Sequence, residues 1–146
     1  MTTLATRPSL TLVRRLKASP TTVYAAWTDP KVMAQWFGPN HTHIVSAETD
    51  VRVGGKFRVV MRETESGEIH DVSGVYREVE PDRRLVFSWA WITMPERESL
   101  VTVSLQPVSE GVELTLLHEQ FFDEPARDSH NGGWTESLDR LERLLA

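Results

Sequence analysis

His118 is the residue in this sequence best placed to do chemistry. It ends an alternating run, Val112, Leu114, Leu116, His118, so strand parity puts its imidazole on the face of the three aliphatic side chains. An imidazole facing an apolar interior could orient a ligand, or act as an acid–base group with a nearby carboxylate or with Tyr76. The plainer reading is a buried histidine bonded to a backbone carbonyl or to Glu63. His41 and His43 could share a strand face as metal ligands, but a catalytic zinc needs a third protein ligand, and no metal is assigned. Glu48 with Asp50, and Glu63 with Glu65, share strand parity, so a general acid paired with a general base is conceivable there. Carboxylates at strand ends are more often simply solvated. No Gly-x-Ser-x-Gly nucleophile elbow occurs. Gly54-Gly55 has no following helix, so it reads as a bulge or tight turn rather than a phosphate loop. The chain has no cysteine, which removes disulfides, thiolate catalysis, zinc–thiolate sites and iron–sulfur clusters together.

The other unusual residues are five tryptophans, Trp27, Trp36, Trp89, Trp91 and Trp134. An indole buries much area yet needs a partner for its N–H. Phe87, Trp89 and Trp91 fall at i, i+2 and i+4 and share a face, which Trp134 can oppose from a helix. Such a set either fills a core solidly or walls a cavity. Ligand pockets are mostly apolar with a few polar groups, and Met61 would add an adaptable wall. The candidate lining is Trp36, Phe57, Val59, Met61, Tyr76, Phe87, Trp89, Trp91, Val101, Val103, Leu114, Leu116, His118, Trp134 and Leu138.

Those residues must be positioned by strands and a long helix. Leu10 to Lys17 reads as a strand. Ser19-Pro20 and Asp29-Pro30 each combine an N-cap residue with proline at the first helical position, so two short helices follow, the second carrying Val32, Met33, Trp36 and Phe37 before Gly38-Pro39 stops it. Six strands come next: Thr42 to Arg52, Lys56 to Thr64, Ile69 to Val79, Arg84 to Thr93, Glu98 to Gln106 and Val112 to Phe121, separated by turn residues. Period-two alternation in several of them means one buried and one wet face. From Glu124 or Pro125 onward, Ala126, His130, Gly133, Trp134, Leu138, Leu141 and Leu145 form one apolar stripe of a long helix. Gly132-Gly133 inside it costs about 1 kcal/mol per glycine relative to alanine, which suggests close packing or a kink. The order predicted is β-α-α-β6-α, an α+β fold in which a curved antiparallel sheet wraps around a long C-terminal helix.

The chain has 146 residues, enough for one domain with a core of its own. Residues 1–9 read as an N-terminal extension and 10–146 as the single domain. The net charge of -5, with scattered basic residues, lacks the footprint of nucleic-acid binding. No apolar run is long enough for a membrane span, and no secretory signal pattern occurs, so a cytoplasmic location is expected.

The ordered motifs resemble a known family. They are Ser19-Pro20 with Val23 and Trp27; Trp36-Phe37-Gly38-Pro39; Asp50-Val51-Arg52-Val53-Gly54-Gly55-Lys56-Phe57; Pro81-Asp82-Arg83-Arg84-Leu85-Val86-Phe87-Ser88-Trp89; Leu114-Thr115-Leu116-Leu117-His118; and Gly133-Trp134 with Leu138 and Leu141. The chain resembles, from about Leu10 to Leu145, the branch of the SRPBCC (START- and birch-pollen-allergen-like) superfamily named for homologues of the activator of the 90-kDa heat-shock-protein ATPase. The resemblance implies a helix-grip fold with a cavity between sheet and helix, no cofactor, and a small hydrophobic molecule as partner. Three functions follow as expectations: a binding module, an enzyme such as a hydrolase or cyclase acting through His118, or a chaperone-modulating interaction domain with an exposed apolar patch around Trp36-Phe37-Gly38-Pro39. Homodimerisation through that patch or a strand edge stays open.

Overall fold

The structure, a computed structural model, describes residues 7–146. Most of the N-terminal extension expected over residues 1–9 lies outside the described residues. The elements are β1 (Leu10–Leu16), α1 (Pro20–Thr28), α2 (Pro30–Met33), β2 (Thr42–Thr49), β3 (Lys56–Glu63), β4 (Ile69–Glu80), β5 (Arg84–Trp91), β6 (Ser99–Val108), β7 (Gly111–Glu119) and α3 (Glu124–Leu144). The seven strands form one antiparallel sheet in the order β1-β7-β6-β5-β4-β3-β2. Consecutive strands are neighbours except β1, which closes on β7 with Leu10 opposite His118. The helix-grip architecture expected from the pattern is therefore present, with α3 packed on the inner face.

Local chemistry sets the element ends. Ser19 accepts from the Thr22 N–H at 3.2 Å, and Asp29 from the Lys31 N–H at 2.9 Å, each with proline at the first helical position. α2 stops at Met33, short of the expected Phe37. There the chain tightens into turns, and the N–H groups of Trp36 and Phe37 both reach the Met33 carbonyl. β2 ends at Thr49 rather than Arg52, because Asp50 to Gly55 forms a turn closed by Gly55 N–H to Arg52 O at 2.8 Å.

The sheet curves at two register shifts, between Ile44 and Ser46 in β2 and between Tyr76 and Glu78 in β4. Gly74 lies just before the second. A Cβ there would collide with the Ser88 carbonyl and stand 2.6 Å from the Phe57 ring, so only glycine lets β4 and β5 approach this closely. The Val75 N–H donates to the Ser88 hydroxyl at 2.8 Å, which buries Ser88 on the parity opposite Phe87 and Trp89.

The two helical glycines behave differently from each other. Nothing lies within 4 Å of a Cβ built at Gly132, whereas one at Gly133 meets Pro39 at 3.7 Å, an ordinary contact. Close packing therefore does not explain Gly132. Gly132→Ala is expected to stabilise the protein by about 0.5–1 kcal/mol in urea unfolding, because alanine loses less backbone entropy in a helix. Gly74→Ala should destabilise it; a neutral result at Gly74 would contradict the close approach described.

Candidate functional site

The N-terminal half of α3 does not lie flat on the sheet. Between it, the end of β5, the β3–β4 hairpin and the turn from Phe37 to Thr42 is a half-open cavity of about 410 Å³. Its inner wall is made by Phe37, Met61, Trp89, Trp91 and Trp134. Gly133, without a side chain, and Ser129, His130 and Ser137 supply the helical side. Ile69, Ile92 and Met94, all exposed, mark its mouth together with Glu63, Glu68 and His70.

Hydrogen bonding fixes the tryptophan walls. Nε2 of His130 accepts from the indole N–H groups of both Trp89, at 3.2 Å, and Trp91, at 3.1 Å. An indole N–H only donates, so this nitrogen is unprotonated, and the ring proton sits on Nδ1, which donates to the Ala126 carbonyl at 2.7 Å. The same logic holds one layer deeper. The Trp134 N–H donates to His118 Nδ1 at 3.0 Å, and His118 Nε2–H donates to the Ser99 hydroxyl at 2.7 Å. Ser99 in turn donates to the Trp89 carbonyl at 3.3 Å. The two imidazoles thus hold opposite neutral tautomers, with ring centroids 5.1 Å apart. Burial pushes the His118 pKa well below the usual histidine value, with the neighbouring His130 adding to it. Burial also lowers His130, against a smaller opposing effect of its bond to Ala126.

Of the candidate lining residues, Met61, Trp89, Trp91 and Trp134 border the cavity. Trp36, Phe57, Val59, Tyr76, Phe87, Val101, Val103, Leu114, Leu116, His118 and Leu138 do not border it; they are buried in the packed core. Strand parity brings a side chain to the inner face, but most of that face is packed into the core, with α1 against β6 and β7, and the cavity occupies one end. His118 is fully buried with both nitrogens engaged, so it presents nothing to a substrate. Its partners are Ser99 and Trp134, not a backbone carbonyl or Glu63. Tyr76 packs against Phe57 and Phe87 instead. The apolar patch expected at 36–39 is not exposed: Trp36 is fully buried, donating to the Ala26 carbonyl, and Phe37 is buried beside it.

His41 and His43 do not share a strand face. His41 sits in a turn at positive φ, and β2 begins after it. Glu63 faces not Glu65 but Glu68, its hairpin partner across Ser66-Gly67, with Glu63 N–H bonded to Glu68 O at 2.9 Å. Glu63, Glu68 and His70 bring three donor atoms within 4.8 Å of one another and are the described residues that could hold a metal ion. Hydrogen bonding with the Glu68 carboxyl, then the Ser66 hydroxyl and His70, keeps Glu63 below the usual carboxylate range. His130 and the Glu63–Glu68 pair were open to sequence reasoning: the first lies one turn before Trp134, and the second flanks a recognisable hairpin turn.

The sequence of residues 17–146 matches the profile of the Activator of Hsp90 ATPase homolog 1-like proteins. The chain belongs to this family. A crystal structure of a family member from Silicibacter pomeroyi is 30% identical, superimposes with a TM-score of 0.83, and the match covers 94% of this chain and 97% of that one. A Chromobacterium violaceum protein is also 30% identical, with a TM-score of 0.86 and the same coverage. One from Nitrosomonas europaea is 27% identical with a TM-score of 0.79, covering 94% and 93%. No curated protein matches by sequence. These likenesses place the chain in the SRPBCC superfamily and its helix-grip fold. No helix among the described residues is long and apolar enough to cross a membrane.

The neutral histidines predict a pH signature. As pH falls below the ordinary histidine value of 6.5, the unfolded chain takes up protons on both rings while the folded chain resists them. Stability held above that pH is therefore lost below it, by about 1.4 kcal/mol per pH unit for each proton. Urea unfolding should show this decline between about pH 7 and pH 5. His118→Gln and His130→Gln should each lower stability at neutral pH and each remove about one proton from the slope. A slope unchanged in both variants would contradict the assignment.

Proposed function

We propose that the chain is a small-molecule-binding module whose cavity takes a hydrophobic ligand with a flat apolar body. The observation that carries this reading is the wall itself. Trp89, Trp91 and Trp134 border a cavity of drug-like size, and the N–H of each is already bonded to a histidine. What they offer a guest is aromatic surface at little further desolvation cost. The family description names an ATPase activator, but the apolar patch on which an interaction surface was expected is buried. An enzymatic reading through His118 loses its catalyst, since both nitrogens of His118 and of His130 are engaged, and the titratable groups Glu63, Glu68, His70 and Asp71 stand at the cavity mouth.

Gly133 provides the test. A leucine there would project into the cavity without meeting backbone, and leucine favours the helix more than glycine does. Gly133→Leu is expected to weaken the binding of Nile red, followed by its fluorescence, at least about tenfold while unfolding stability is kept or raised. Equal Nile red binding by the wild type and this variant would place the dye elsewhere and count against the cavity as the binding site.

A further inference from the structure

We propose that the cavity selects an organic cation, a flat apolar body inside the aromatic wall with an ammonium head held at the Glu63–Glu68 rim. This rests on the binding reading above and names the class of ligand. Among the described residues that border the cavity there is no lysine or arginine, so an anionic ligand finds no counter-charge. Hydrogen-bond donors of the inner wall are already engaged. The three indoles donate to histidines, the Thr42 hydroxyl donates to the Pro39 carbonyl at 2.6 Å, and the Ser137 hydroxyl donates to the Gly133 carbonyl at 2.8 Å. A carboxylate or phosphate inside would lose its water and gain little in return.

The rim has the opposite character. Pairing across the hairpin puts Glu63, Glu68 and His70 on the inner face with Met61, since Met61 stands opposite His70. The two carboxyl groups lie within 4.8 Å of each other, a separation at which both can be ionised only at a cost that a shared proton or a bound cation relieves. No arginine or lysine side chain pairs with either among the described residues; Glu63 accepts from the Ser66 hydroxyl at 3.0 Å and lies 3.5 Å from the His70 imidazole. Asp71, the other acid at the cavity, is different: the Arg58 guanidinium grips both its oxygens, at 3.0 and 2.6 Å. An ammonium group at the rim would meet carboxyl groups with no arginine or lysine partner on one side and the edge of the tryptophan wall on the other. Ammonium groups are attracted to aromatic faces as well as to carboxylates.

Three probes that share an indole and differ in head-group charge decide it: tryptamine, tryptophol and indolepropionate, titrated calorimetrically at about pH 8 with a chelator, where histidine is neutral. The wild type should bind tryptamine about fivefold or more tighter than tryptophol, and indolepropionate most weakly. Glu63→Gln/Glu68→Gln should remove the tryptamine preference and leave tryptophol affinity within about twofold. Tryptophol binding as tightly as tryptamine overturns the charge preference while leaving the cavity reading intact. A preference that survives in the double variant overturns the assignment of the rim. No binding by any of the three overturns both. If Zn²⁺ added without chelator binds in a Glu63- and Glu68-dependent way and tryptamine shows no preference, the rim is a metal site and the proposal fails.

Discussion

A tryptophan carried into a protein interior must find an acceptor for its N–H, and the end of this domain that stays open depends on how that requirement is met. A buried donor left alone costs about 1–3 kcal/mol, and three indoles converge here. Two imidazoles answer all three, His130 accepting from Trp89 and Trp91, and His118 from Trp134. Each imidazole must therefore be neutral, and each must turn its remaining N–H to a different acceptor, the Ala126 carbonyl or the Ser99 hydroxyl. The tautomers, the orientation of α3 and the placing of the aromatic rings are consequences of one another. The Trp27 N–H is the exception, buried without a partner among the described residues.

The same arrangement explains why the interior is filled at one end and hollow at the other. Towards the first helices, Trp27 packs edge-on against Trp36 at 4.9 Å, and Phe57, Tyr76 and Phe87 interlock. Towards the start of α3, the indoles are tied back by their edges to the helix and the sheet, and the helix offers Gly133 where a larger side chain would reach across. The gap between them is enclosed by large rings that cannot swing in without giving up their acceptors. The polar groups of the wall bond inward, and the charged groups stand at the mouth.

Much of the fold was legible from the sequence because its signals are local. Ser19-Pro20 and Asp29-Pro30 cap helices whatever surrounds them, and alternation in β3 and β7 forces one face inward. The boundaries that differ are those decided by tertiary geometry: α2 yields to turns at Met33 so that Trp36 can reach the Ala26 carbonyl. The site was only half legible. Trp89, Trp91 and Met61 are visible by strand parity and Trp134 by the helical stripe, but parity cannot tell Val101 or Leu116, packed in the core, from Met61, which borders the cavity. The strand position of His118 says that it points inward and nothing more. Whether an inward histidine is free or engaged depends on a Ser99 and a Trp134 that lie far from it in sequence. The Glu63–Glu68 pair joins two strands across a hairpin, and parity along one strand carries no information about it.

The measurement that tests this account most directly is the protonation state and tautomer of the two imidazoles, read from their nitrogen chemical shifts by NMR. At about pH 7 both rings should be neutral, with the proton of His130 on Nδ1 and that of His118 on Nε2, and as pH falls each should take up its second proton only below the ordinary histidine value, His118 well below it. Either ring gaining a proton near the ordinary histidine value, or showing the other tautomer, would mean that the indoles are not held as described and that the cavity they frame has lost its support.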